Sequence, residues 1–150
     1  MLNNCHKSAS SIFLDYHPVL EGLKILIVDD EADTLDMLKV ALEQYSAEVR
    51  TEGSVREALE ALREWTPDLL VSDIGMPGED GYDLIRQIRG LGTEYGKRIP
   101  AIALTAYSRS EDRIRVLSAG YQMHLAKPID PTELATVLAS LTGRLGQENL

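Results

Sequence analysis

The sequence predicts a doubly wound α/β sheet: one domain of five strand–helix units. Four aliphatic runs are apolar on both faces: Ile25-Leu26-Ile27-Val28, Leu69-Leu70-Val71, Ala101-Ile102-Ala103-Leu104 and Met123-His124-Leu125-Ala126. Strands covered by helices on both sides read this way. A fifth run, Ala47-Glu48-Val49-Arg50, alternates instead, which suits an edge strand with one wet face. Helical patterns separate the runs, and strand–helix alternation of this kind winds into a parallel sheet with right-handed crossovers.

Each helix carries its own punctuation. The first, from about Ala32 to Tyr45, offers Leu35, Leu38, Ala41, Leu42 and Tyr45 to a core. Ser54 and Glu57 have capping-box spacing ahead of Val55, Ala58, Leu59 and Leu62. Asp80 caps a helix carrying Leu84, Ile85 and Ile88, which ends near Gly90. Gly90, Gly92 and Gly96 then fall in a long loop whose spacing misses the dinucleotide fingerprint. Ser108 and Glu111 repeat the capping spacing before Ile114 and Leu117, and Gly120 stops that helix. Asp130, Pro131 and Glu133 open the last one, with Leu134, Val137, Leu138 and Leu141 on one face until Gly143.

A chain of 150 residues suits one such domain. We divide it into a leader or linker (1–22), a domain (23–143) and a short tail (144–150), with no second domain expected. The formal net charge of −9 disfavours nucleic acid and anionic lipid. Arg109, Arg113 and Arg115 are interrupted by Glu111 and Asp112, the pattern of a solvated helix face. No stretch is apolar enough to span a membrane, and the first twenty or so residues lack the order of a signal peptide. The single cysteine, Cys5, cannot build a disulfide framework, which places the chain in the cytoplasm; neither it nor His6 reads as a metal ligand. Trp65, Met37, Met76 and Met123 read as packing residues.

Sheets of this class bind ligands beyond the carboxyl ends of their strands. Asp29 and Asp30 follow the first apolar run, Asp73 the third, Thr105 the fourth and Lys127 the fifth. Taken singly, the acid pair could cap a helix, Thr105 could be a turn hydroxyl and Lys127-Pro128 a plain strand-to-helix turn. Together they put three carboxylates, a hydroxyl and an ammonium on one sheet edge. Carboxylates held close repel unless a cation neutralises them. A hard divalent ion such as Mg²⁺, with oxygen ligands, meets that need. A carboxylate beside such an ion can attack phosphorus, with Lys127 and Thr105 receiving the phosphoryl oxygens.

The motifs Leu26-Ile27-Val28-Asp29-Asp30-Glu31, Ser72-Asp73-Ile74-Gly75-Met76-Pro77-Gly78, Leu104-Thr105-Ala106 and Ala126-Lys127-Pro128 resemble those of bacterial response-regulator receiver domains, in order and at the expected intervals. The resemblance implies a flavodoxin-like (βα)5 three-layer sandwich with strand order 2-1-3-4-5, of which chemotaxis receivers are a known example. It implies that Asp73 accepts a phosphoryl group from a sensor histidine kinase or phosphotransfer protein. Asp30, Asp73 and the backbone carbonyl of Gly75 would hold Mg²⁺, with Asp29 acting through a water. Thr105 and His124 would form the conformational switch, His124 standing where many receivers have Tyr or Phe. Tyr107 and Gly75 stand where the dephosphorylating water must pass. The Lys127–Pro128 bond is expected to be cis. Kinase specificity is expected on the first helix around Asp33, Thr34 and Met37.

Output is expected through a downstream protein, on the face formed by the fourth helix, fifth strand and fifth helix, which also allows a homodimer. The chain may be read as a free-standing regulator, as the receiver module of a hybrid kinase, or as a phosphorylation-independent pseudo-receiver. A haloacid-dehalogenase-type hydrolase needs a second acid two residues after its nucleophile. Gly75 occupies that position, so the chain is not expected to be an enzyme beyond its own phosphorylation and dephosphorylation.

Overall fold

The computed structural model describes residues 18–106 and 110–144. Cys5, His6, Tyr107, the Ser108 cap and Arg109 lie outside the described residues. A 3-10 turn, Pro18–Leu20, leads into strand β1 (Lys24–Val28), followed by β2 (Glu48–Glu52), β3 (Leu69–Asp73), β4 (Ala101–Thr105) and β5 (Met123–Ala126). Five long helices intervene or follow: α1 (Ala32–Glu43), α2 (Val55–Trp65), α3 (Gly81–Arg89), α4 (Ser110–Ala119) and α5 (Pro131–Leu141). All strand pairings are parallel, in the order β2-β1-β3-β4-β5.

Period-two alternation along the strands sorts the core into two layers. Ile25 and Ile27 of β1, Val71 of β3, and Ile102 and Leu104 of β4 face α1 and α5, meeting Leu35, Leu38, Leu42, Leu134 and Leu138. Leu26, Val28, Leu70, Ala101 and Ala103 face the other way, against α2, α3 and α4. β3 and β4 are buried along their whole length, as their unbroken aliphatic runs require.

The caps form where the spacing placed them, with variations. Ser54 accepts from the Glu57 amide, while Glu57 reaches back to the Gly53 amide rather than to Ser54. Asp80 and Asp83 make a reciprocal capping box on α3. Asp130 accepts from the Thr132 amide. The acid pair Asp29-Asp30 caps nothing: Glu31 is the N-cap residue of α1 and makes no side-chain cap bond.

Three expectations needed correction. The run Met123-His124-Leu125-Ala126 stands at the edge that the order 2-1-3-4-5 gives it but is not covered on both faces: Met123 is 37% exposed. On α4 the buried residue is Val116, while Ile114 and Leu117 are 64% and 42% exposed. That helix is rolled so that Arg115 stacks on the Tyr82 ring, 4.0 Å from its centroid. Of the methionines, Met76 is buried but Met37 is exposed. The glycine-rich loop also holds a short helix, Glu94–Arg98, capped by the Thr93 hydroxyl.

α3 lies against the end of β3, and only glycine fits at its first position. A Cβ on Gly81 would sit 2.5 Å from the Asp73 carbonyl oxygen and 2.9 Å from Ile74 Cα. Gly81→Ala is therefore expected to cost about 1–3 kcal/mol by overpacking. Gly75, where a Cβ would meet nothing within 4 Å, should tolerate alanine within about 0.5 kcal/mol. Urea unfolding of the two variants checks this, and equal losses would contradict it.

Candidate functional site

The parallel register levels the strand ends. Val28 pairs with Ser72, Asp73 with Leu104 and Thr105 with Ala126. Asp29 is the residue after β1, Asp73 the last of β3, Thr105 the last of β4 and Lys127 the residue after β5. The Asp29 amide continues the ladder to the Glu52 carbonyl, and the Lys127 amide to the Thr105 carbonyl. Backbone hydrogen bonds therefore set these positions before any side-chain contact is made.

The structure gathers the acids and the ammonium. Carboxylate oxygens of Asp29, Asp30 and Asp73 lie within 4.8 Å of one another. Asp29 and Asp73 are buried, and Asp30 opens to solvent. Lys127 Nζ stands 3.1 Å from Asp73 Oδ1 and 3.3 Å from Asp29 Oδ2. The Gly75 amide donates to Asp73 Oδ1 and the Glu31 amide to Asp29 Oδ1. The Lys127–Pro128 bond is cis.

One ammonium does not balance three carboxylates. Burial pushes the Asp29 carboxyl above its ordinary range, and the charge of Asp73 adds to that push against the Glu31 amide and Lys127. Burial works against the Lys127 ammonium too, but its hydrogen bond to Asp73 and the charges of both acids hold its pKa above the usual lysine value. An all-oxygen donor set with one open side and surplus negative charge fits a hard divalent cation. Asp29, Asp30 and Asp73 each offer a carboxylate oxygen to such an ion.

Thr105 is buried on β4. Because Ala103 pairs with His124 and Thr105 with Ala126, Thr105 and His124 share one face as diagonal neighbours. His124 is half-buried and borders a 160 Å³ hollow with Arg113, Leu117, Gln122 and Met123. Asp33 and Met37 are exposed and Thr34 half-buried on α1. Thr34 and Met37 line a 440 Å³ groove that also touches Lys127, Pro128 and Ile129.

Two residues beside the site were not singled out from the sequence. Ser72, buried next to Asp73, lies within hydrogen-bond reach of the Asp73 carbonyl and the Tyr121 oxygen. Tyr121 reads from the sequence as one more aromatic after a helix-stopping glycine. Its usable signal is a phenol in an otherwise aliphatic strand approach, because a buried hydroxyl must find a partner.

A five-stranded parallel sheet of order 2-1-3-4-5, with acids and a lysine converging at its strand ends, defines a signalling module of the flavodoxin-like receiver class. The family model of the response regulator receiver domain matches residues 25–139, and the chain belongs to that family of two-component signalling. It is 47% identical over 115 residues to an uncharacterized 14.6 kDa protein of Leptolyngbya boryana, covering 77% of this chain and 86% of that one. It is 34% identical over 125 residues to the phosphate regulon transcriptional regulatory protein PhoB of Pseudomonas aeruginosa, covering 83% of this chain but 54% of that protein. Among solved structures, it superposes with TM-score 0.71 and 32% identity on the receiver domain of sensor histidine kinase PA1611 of Pseudomonas aeruginosa, covering 79% and 96% of the two chains. That structure has a magnesium ion coordinated in its active site cleft. No helix among the described residues is long and apolar enough to cross a membrane.

The raised Asp29 pKa fixes a sign. The folded chain holds that proton more tightly than the unfolded chain, so stability falls as pH rises from the unfolded carboxylate value through the higher folded one. Asp29→Asn removes this loss. In metal-free buffer its stability relative to wild type should therefore climb as pH rises above the unfolded carboxylate value of about 4. Urea midpoints that run parallel across that rise would contradict it.

Proposed function

We propose that this chain is a phosphoacceptor receiver whose acceptor is Asp73. The observation that carries the reading is the convergence at the strand ends of Asp29, Asp30 and Asp73, with carboxylate oxygens within 4.8 Å of one another, and of Lys127, which pairs with Asp29 and Asp73. A carboxylate oxygen of Asp73 attacks the phosphorus of a phosphohistidine on a sensor kinase or phosphotransfer protein. The phosphorus–nitrogen bond breaks and the imidazole leaves, so an acyl phosphate forms. Lys127 pairs with the phosphoryl oxygens, and Thr105 gives them a hydroxyl hydrogen bond. Asp30, Asp73 and the Gly75 carbonyl would hold Mg²⁺, with Asp29 acting through a water. When bound, the ion supplies positive charge to the acid cluster and to the transferring oxygens.

The functional unit is residues 23–143, in keeping with the family match over 25–139. The groove bordered by Thr34, Met37 and Lys127 suits the docking kinase, since it runs from α1 to Lys127, which pairs with Asp73. The output surface lies over α4, β5 and α5, linked to the site by Thr105 and His124. Its exposed Ile114, Leu117 and Met123 supply apolar area for a downstream protein or a second copy. We place the reaction in the cytoplasm, where such a kinase meets its nucleotide. The likeness to a sensor kinase's receiver also favours a second setting, as the receiver module of a hybrid kinase.

Incubation with acetyl phosphate and Mg²⁺ should add one phosphoryl group to the intact mass of wild type. Asp73→Asn should add none, and chelating the metal should abolish labelling. Lys127→Ala should slow labelling ~100-fold, the loss of one preorganised cation at a transferring group. Unlabelled wild type under every condition would instead identify a phosphorylation-independent interaction module.

A further inference from the structure

Helix α3 is fastened at both ends by two consecutive residues of the turn that joins α4 to β5. At its first residue, the Gly81 carbonyl accepts a 2.7 Å hydrogen bond from the buried Tyr121 hydroxyl. At its last, Arg89 donates to the Gly120 carbonyl through Nε at 3.1 Å and Nη2 at 2.7 Å. The same guanidinium bonds the Gly96 and Ile99 carbonyls and reaches Gln122. A half-buried cation held by carbonyls has little freedom to move alone, since every bond it leaves exposes a buried oxygen.

The Tyr121 end touches the acceptor loop. The Gly81 amide donates back to the Ile74 carbonyl, closing residues 74–81 into a loop. Gly81 is packed against the Asp73 carbonyl too closely for any Cβ. The Ser72 hydroxyl, one residue before the acceptor, donates to the Asp73 carbonyl and lies beside the Tyr121 oxygen. Burial keeps the phenol protonated, so it remains a donor to Gly81. One hydroxyl thus meets the residue before Asp73 and the residue that ends the loop containing Gly75.

We infer that Tyr121 is a positioning residue for the acceptor loop, coupling the metal-binding end of β3 to the α4–β5 turn through the two ends of α3. This rests on the receiver reading above and adds to it a route separate from Thr105 and His124. Any change in where the Gly75 carbonyl points is passed to Gly81, through the Tyr121 hydroxyl to the turn, and along α3 to Arg89 and Gly120. The reverse also holds: displacing the turn alters affinity at the loop by the same factor.

The test is a Mg²⁺ titration of the full-length ¹⁵N-labelled chain, with and without beryllofluoride, comparing wild type with Tyr121→Phe. In wild type the Gly75, Gly81 and Gly120 amides should all shift. In Tyr121→Phe, Gly75 should still respond, Gly120 should lose most of its shift, and the Mg²⁺ dissociation constant should rise about fivefold, the lower end of ordinary site-to-site coupling. A merely structural role for the hydroxyl would lower the urea midpoint and leave the ratio of Gly120 to Gly75 shifts unchanged, which overturns the inference. A wild-type Gly75 that never responds overturns the metal-site reading, and this one with it. If the phenylalanine variant does not fold, Arg89→Lys cuts the other end, and an unaltered Gly120 response there would likewise overturn it.

Discussion

The ion pairs from Lys127 to Asp29 and Asp73 hold the ends of three strands against the repulsion of their own acids. Without the ammonium, two buried carboxylates and one exposed would face each other across the top of the sheet. With it, the cluster is stable enough to fold yet still short of positive charge. Burial first, and the charge of Asp73 after it, hold the Asp29 carboxyl above its ordinary range, and a surplus of carboxylate oxygens suits a hard divalent ion. An uncharged pocket of the same shape would stabilise the fold better.

The sheet converts this local chemistry into a defined geometry. Parallel pairing levels the strand ends, so residues separated by up to 98 positions in sequence meet within hydrogen-bond reach. The central strands, buried along their whole length, carry Asp73 at the end of β3 and Thr105 at the end of β4. The edge strand β5 carries His124 and leads into Lys127, where one uncovered side leaves room for a change of packing. Rigidity and adaptability are divided by sheet position.

Much of this was legible in the sequence because the signals were local. Apolar runs bounded by Asp, Thr or Lys give both the strand and the residue at its end, and Ser54, Asp80 and Asp130 mark helix starts with side chains that do the capping. Three things were not legible, each because tertiary context decides it. Met123–Ala126 is apolar enough to suggest cover on both faces, but at the edge of the sheet it stays partly open. Ile114 and Leu117 have core-like spacing, but the stacking of Arg115 on Tyr82 turns α4 the other way. Arg89 looks like one more basic residue in the last turn of a helix. Its carbonyl partners come from the short helix and from the turn after α4, and no spacing rule connects those segments. The short helix itself had a faint local signal: Thr93 at its cap, Glu94 in its first turn, and Lys97 and Arg98 at its end.

The two-ended attachment of α3 makes that helix a gauge. Nine residues rise about 13 Å, and this length sets the span between the hydroxyl that holds Gly81 and the guanidinium that holds Gly120. Adding or removing one residue would swing Arg89 about 100° around the helix axis, away from every carbonyl it binds. A change of chain length beyond Arg89, in the segment with Leu91, Gly92 and the short helix, would leave that span intact.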